Sequence, residues 1–486
     1  MSTATSSIPA FGPASLPMPT AALEVLGYLI VVGVGTLCFL LGWLQPNGAA
    51  VLTVLLLSSL IVLAWKRFDQ GRHPCFLFLC VLMFFQGGRL LAYCFGAETE
   101  PLRITVMVSR PFNVSRDEAG IVLLCLVLSA ICIYAPCRWN YRWISPPADA
   151  EVRHYLPYLY FVFFTTLPIQ LFKNYSYYQY AQAHGGYTFL FVNHAALAAS
   201  VPFLVRATQL ITFPVFVAIF VFERRKKFLY PVTILYFCTA AIILLLGSRV
   251  GAFSLVLALW YIARVKSTKK ARILRLAIFA LLLMMVGYAV QQIREDSGEQ
   301  TAATFSPARV LDLQGASLDV TAVAVKYRKL FRPYVASYLL QELRDAFVAN
   351  DAANYYRGRA LGFDVTVLLN PALFSMGYGT GSSYVAEAYV IGGLLGVVLI
   401  SVLMGFGLGL LYDSSRKAIS LFVVAMVLPD ILIMPRNGLL DWMSALLRSG
   451  VAILVLVVGW QLYSFIFPSD NTPAGQGLPP TTTVVS

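Results

Sequence analysis

The sequence predicts an all-α, polytopic integral membrane protein of about twelve transmembrane helices, with one large outer loop and both termini cytoplasmic. Three observations carry this: a series of apolar runs broken by short charged links, a single long polar stretch, and basic residues that concentrate in alternate links. The 486 residues are 59% hydrophobic and 12% charged, with mean hydropathy +0.74. Soluble domains carry about 25% charge.

An apolar helix needs about 20 residues to cross some 30 Å of hydrocarbon. Runs near that length occupy residues 22–43, 49–65, 75–96, 119–137, 155–172 and 201–222. Others follow at 228–246, 250–263, 273–290, 384–411, 418–434 and 449–467. The run at 250–263 is short for a span. The organisation read from these is a cytoplasmic tail (1–21), nine helices (22–290), a large outer loop (291–383), three helices (384–467) and a Pro/Thr/Gly-rich disordered tail (468–486).

Orientation follows from charge. Five alternate short links hold seventeen Lys and Arg residues, among them Lys66, Arg67 and Arg72, and Arg224, Arg225, Lys226 and Lys227. The short links on the other side hold seven. Cytoplasmic links are the basic ones, so both termini lie inside and the long loop outside. That loop carries nine basic and nine acidic residues. Its apolar periodicity through 320–346 predicts an amphipathic helix, placed as a lid over the membrane surface.

Composition also excludes classes. The net charge of +13 serves topology, and no basic stripe with interleaved aromatics marks a nucleic-acid face. The eight cysteines lie in or at the ends of apolar runs and show neither disulfide nor metal spacing. The N-terminus has no basic n-region and no small-residue cleavage pattern, so the first run reads as a retained helix.

Ionisable groups inside spans are costly and mark cavities or partners. Here they gather toward the outer side: Arg89, Arg206, Arg249, Glu387, Asp430, Arg436, Asp441 and Arg448. Guanidinium forks bind phosphate bidentately at any accessible pH, so arginines at one depth on several helices suit a pyrophosphate. Each arginine read singly fits an interface anchor, with its stem in lipid, better than a ligand. Arg249 is held at the tip of a tight link, and Arg206 and Arg89 lie deeper than an anchor needs. Glu387 reads as a desolvated general base or as a structural ion-pair partner. Gly392 and Gly396 have the small-xxx-small spacing of close helix packing. The aromatic outer segment at 174–200, with Tyr187 and His194, offers sugar-stacking faces or an interfacial belt. Tyr384 and Asp441 complete the candidate sugar and acceptor contacts.

Two stretches resemble a known family. Gly247-Ser248-Arg249-Val250-Gly251-Ala252-Phe253, followed by a span, is similar to a recurrent stretch of the bacterial O-antigen polymerases of the Wzy type. So is the end of the large loop, Met376-Gly377-Tyr378-Gly379-Thr380-Gly381-Ser382-Ser383-Tyr384-Val385-Ala386-Glu387-Ala388-Tyr389, running into a span. The resemblance is clearest over 247–411; the N-terminal half matches by hydropathy alone. It implies an inverting, metal-independent and cofactor-free glycosyl transfer at the periplasmic face of the inner membrane. The growing glycan would leave one undecaprenyl-pyrophosphate carrier and join a newly flipped lipid-linked repeat unit, with a chain-length-regulating co-polymerase as a further partner. Arg249, Arg206, Arg89 and Arg436 would hold the pyrophosphate, and Glu387 would be the base. The family's second arginine-bearing outer loop has no counterpart, because 174–200 contains no arginine.

Three rivals fit less well. An O-antigen ligase places a histidine in the large outer loop, and 291–383 contains none. Metal-dependent lipid-linked glycosyltransferases need an acidic pair in the first outer link, which at 44–48 is short and uncharged. A flippase or other transporter favours internal repeats and broken helices at the midplane, whereas these charges lie toward one face.

Overall fold

The computed structural model describes residues 18–96, 112–144, 150–184, 201–245, 249–267, 306–341, 355–375 and 379–466, with a few single positions between them. Every regular element among them is a helix. In the first half these are α1 (Met18–Leu40), α2 (Pro46–Arg67), α3 (Pro74–Phe85), α4 (Gly88–Cys94), α5 (Arg116–Trp139) and α6 (Leu156–Ala183). Next come α7 (Phe203–Ala207), α8 (Gln209–Phe222), α9 (Lys226–Leu245) and α10 (Arg249–Lys266). The large loop contributes α11 (Pro307–Gln314), α12 (Ser317–Lys326) and α13 (Leu361–Leu369). The chain closes with α14 (Tyr384–Ser414), α15 (Ala418–Leu432) and α16 (Trp442–Ile466).

Six helical stretches among the described residues are long and apolar enough to cross a membrane: α1, α2, α5, α7 with α8, α14 and α16. A seventh span arises if α3 and α4, bent by 67°, count as one broken crossing. α6, α9, α10 and α15 stand where further runs were expected but are not among the six. The run at 273–290 lies outside the described residues. The molecule is thus a helical membrane protein, with six or seven spans defined by length and apolarity among the described residues; the sequence suggested twelve in all.

Local sequence fixes the key ends. Ser115 and Glu118 form a capping box at the start of α5, each side chain bonding the other's backbone N–H. Pro74 opens α3, where the missing N–H costs nothing. α5 and α14 pack along each other at the centre. Gly405 comes so close to α5 that a Cβ there would stand 2.5 Å from the Ile133 carbonyl. Close packing on α5 therefore uses Gly405; of the expected pair, Gly392 faces open space, whereas a Cβ on Gly396 would stand 2.2 Å from the Ala388 carbonyl of its own helix.

Those two glycines flank a break. α14 has 31 residues, about 46 Å at 1.5 Å per residue, too long for one straight crossing. Gly393, at φ 65° and ψ −148°, interrupts it, a conformation that L side chains resist. Arg328 from the large loop reaches this break and donates from Nε to the Val390 carbonyl (3.4 Å). The break sets the short segment bearing Glu387 apart from the rest of α14.

One described part of the large loop is enclosed among helices rather than laid over them as a lid. Residues 317–325, all of α12 but its last residue, are buried on every face, and α12 packs against α5 and α14. Of the amphipathic helix expected over 320–346, this first part is a plug packed among helices, while residues 326–341 form shorter helical pieces with exposed and buried positions mixed. Its neighbour α11 packs on α4.

At the opposite end, residues assigned to topology alone are woven into the structure. Arg72 is 2% exposed and donates to the carbonyls of Arg264, Val265 and Ser267. Glu24, inside α1, pairs with Arg67 and Arg138.

Candidate functional site

The break between α3 and α4 is built on Gln86-Gly87-Gly88. Gln86 is fully buried, and a buried amide must find partners for each polar atom. Its Nε2 lies 3.1 Å from the Ser317 carbonyl, 2.8 Å from Ser383 Oγ and 2.7 Å from the Pro435 carbonyl. Its Oε1 accepts from Thr321 (3.1 Å). One side chain thereby joins the broken helix, the plug α12, the start of α14 and the link after α15. Sequence reasoning missed it, although a glutamine followed by two glycines inside an apolar run is a readable signal.

Glu387 sits at this junction, 4% exposed. Ser383 caps α14 by accepting from the Val385 N–H, so Glu387 falls in the first turn. Ser382 Oγ donates to Glu387 Oε1 (2.7 Å), and the Leu439 N–H donates to Oε2 (2.8 Å). The carboxylate is held at both oxygens in one orientation. Asp441 faces it across Gly438 and accepts that residue's N–H (2.9 Å). A Cβ on Gly438 would stand 2.4 Å from Asp441 Oδ1 and 3.1 Å from Glu387 Oε1. The glycine leaves room for both carboxylates to approach the same point.

The segment before Glu387 is fixed by backbone pairing and by the loop. The Ser382 and Tyr384 N–H groups donate to the Arg436 and Met434 carbonyls (3.1 Å each). Gly381 turns at φ 74°. Gly362 of α13 approaches so closely that a Cβ would lie 2.2 Å from the Gly381 carbonyl. Thr366 Oγ1 accepts from the Thr380 N–H (3.0 Å). The glycine-rich end of the loop thus orients Ser382 and Glu387.

Two of the expected arginines join the same region. Arg436 donates to Gln314 Oε1 (3.1 Å) and lies over the Phe85 ring, 5.4 Å from its centre. Arg89, 1% exposed, is engaged by two carboxylates of the loop, Asp312 at 3.0 Å and Asp319. Burial pushes the Asp319 carboxyl up to about 6, with Arg89 pulling it down and Asp312 adding to the rise. Of the pyrophosphate candidates, Arg89 therefore arrives with its charge already offset.

Of the other candidates, one turns away from this centre and the rest fall outside what the structure describes. Tyr384, expected against the glycan, is fully buried and donates to Ser129 on α5 (3.1 Å); it packs helices. Arg206 lies in α7, and Arg249 opens α10; their side chains are outside the described residues, as are Tyr187 and His194 altogether. Lys173, one of the seven basic residues counted in the outer links, is 3% exposed within α6, with its Nζ over the Tyr177 ring. Gln170, Asn174 and Thr208 form a buried polar patch beside it.

Among the described residues, His73, Cys75 and Cys137 bring metal-ligating atoms together. His73 Nδ1 already accepts from the Cys75 N–H, and Cys137 Sγ lies 3.1 Å from the Gly405 carbonyl. His73 packs on Tyr412, at the far end of α14 from Glu387, so this cluster is no part of the site.

A helical membrane protein that buries an oriented carboxylate beside a second, partly exposed acid and arginines at one end of its bundle has the makings of a membrane-embedded transferase. The sequence model of the O-antigen polysaccharide polymerase Wzy family matches residues 25–466, nearly the whole chain, and the chain belongs to that family. No curated protein and no solved structure matches it. The family makes the protein an O-antigen repeat-unit polymerase at the general level, an enzyme of glycosyltransferase type that acts on lipid-linked oligosaccharide in a membrane.

If the pairing of the two acids matters to that activity, Gly438→Ala should cost about a hundredfold in polymer formation, the scale set by a 1 Å misplacement. The readout is polymer per unit of inserted protein. Unchanged polymer would show that the carboxylates need not meet.

Proposed function

We propose that the chain polymerises O-antigen at the periplasmic face of the inner membrane, with Glu387 as the general base. The acceptor hydroxyl of an incoming lipid-linked repeat unit attacks the anomeric carbon that joins the growing glycan to undecaprenyl pyrophosphate. The new glycosidic bond forms with inversion as the bond to the pyrophosphate breaks. The observation that supports this best is the carboxylate of Glu387, buried and oriented by Ser382 and the Leu439 N–H.

Arg249, Arg206 and Arg436 are the proposed pyrophosphate ligands. Positive charge fixed in advance where the leaving group gains negative charge is commonly the largest catalytic contribution. Arg89, tied to Asp312 and Asp319, is assigned to holding the loop against α4. Asp441 is the proposed acceptor contact. The reading includes twelve spans with cytoplasmic termini, an inverting reaction without metal or cofactor, and a co-polymerase that sets chain length.

Arg249→Lys keeps the charge but loses the fork. It should lower polymer formation by about 10²–10³-fold, as loss of a preorganised transition-state donor does. Near-normal polymer from correctly inserted protein would remove Arg249 from the phosphate site.

The reading as a whole is tested in a strain lacking the gene, by a gel of surface lipopolysaccharide with blotting of the lipid-linked pool. Core carrying a single repeat unit and no ladder is the expected result. Polymer stranded on the carrier would mean a ligase. Core with no repeat and no polymer would mean a flippase.

A further inference from the structure

We infer that Ser382 is a catalytic residue, a proton relay between the acceptor hydroxyl and Glu387; this rests on the reading of Glu387 as the base. The geometry puts the two groups in series. Glu387 is 4% exposed, whereas Ser382 is partly exposed. The Ser382 hydroxyl already donates to Glu387 Oε1 across 2.7 Å, an ordinary length for such a bond. The other carboxylate oxygen accepts from the Leu439 N–H.

A hydroxyl that donates to a carboxylate still has two lone pairs to accept with. An acceptor sugar hydroxyl can therefore donate to Ser382 Oγ without disturbing the bond to Glu387. As the sugar oxygen forms its bond to the anomeric carbon, its proton passes to Ser382 Oγ, and the Ser382 proton passes to Glu387 Oε1. The electron pair of the broken C–O bond leaves with undecaprenyl pyrophosphate. Serine ends as it began, and the protonated Glu387 later returns its proton to water.

The surroundings suit a relay. Both flanks of Ser382 are fixed: its own N–H donates to the Arg436 carbonyl, and Gly381 is pinned by Gly362 and by the Thr366–Thr380 contact. The neighbouring Ser383 has a different task, bonding Gln86 and capping α14. Two adjacent serines thus divide between structure and chemistry.

The test uses the full chain in vesicles, with the undecaprenyl-pyrophosphate-linked repeat unit isolated from a polymerase-deficient strain. Ser382→Ala should lower kcat by about 10²-fold or more, the lower bound for positioned proton transfer, with little change in KM. Ser382→Thr, which keeps the hydroxyl, should stay within about tenfold of wild type. The wild type should show a curved rate dependence on deuterium fraction, because two protons move. Ser382→Ala near wild type while Glu387→Gln is inactive would overturn the relay and leave Glu387 as a direct base. Equal loss in Ser382→Ala and Ser382→Thr, or a linear deuterium dependence, would also overturn it. Activity in Glu387→Gln would instead remove the base reading on which the relay rests.

Discussion

Glu387→Gln is expected to give a folded, correctly inserted protein that makes no detectable polymer. The substitution is nearly isosteric, and an amide oxygen can still accept from Ser382 or the Leu439 N–H. What it cannot do is take a proton. Positioned proton transfer contributes about 10²–10⁴-fold, so polymer should fall by about that factor while yield and elution profile stay normal. If elution changed as well, the carboxylate would be holding the 433–441 link in place. If polymer stayed normal, a structural role alone would remain.

Arg89→Met is expected to be the most destabilising single change in the region. Removing one partner of a buried ion pair costs about 3–5 kcal/mol because the other charge is left uncompensated. Here two carboxylates, Asp312 and Asp319, lose the same cation. Without Arg89, Asp319 is pushed above its present value near 6, so the folded variant binds a proton that the unfolded chain releases. Stability of the variant then falls as pH rises through that raised value and recovers as pH is lowered. Thermal melting in detergent across pH 5 to 8 reads this directly. A melting temperature equal to that of wild type would mean that the loop is held by other contacts. If Arg89→Met with Asp312→Asn and Asp319→Asn regained stability yet stayed inactive, Arg89 would return to the list of substrate ligands.

Much of the helical architecture was legible, because apolar runs of about 20 residues have few other uses. The described helices begin within a few residues of the expected runs for α2, α3, α5 and α6. The breaks were not legible. Gly393 looks like any small residue of a packed helix, and only the backbone shows its positive φ. Gln86 was overlooked, and Lys173 counted only as a link charge, because hydropathy averages over a window and hides one polar side chain among many apolar ones.

The loop misled for a related reason. Hydrophobic periodicity over 320–346 was read as one wet face, whereas its first part, in α12, is buried on every face, with α5, α14 and α13 packed against it. Among site residues, Glu387, Arg436 and Asp441 were identified from charge within apolar surroundings, and they lie in one region. Arg89 was identified for its depth, but a sequence does not show which carboxylates will meet it. Tyr384 was read by residue type, which does not say which way a helix turns its side chains.

The most direct test of the account follows glycan length on the lipid carrier in vesicles containing only the purified chain and lipid-linked repeat unit. Stepwise lengthening by the wild type, with one undecaprenyl pyrophosphate released per bond and none in Glu387→Gln, is the expected result. No lengthening by the wild type, or equal lengthening by Glu387→Gln, would contradict it.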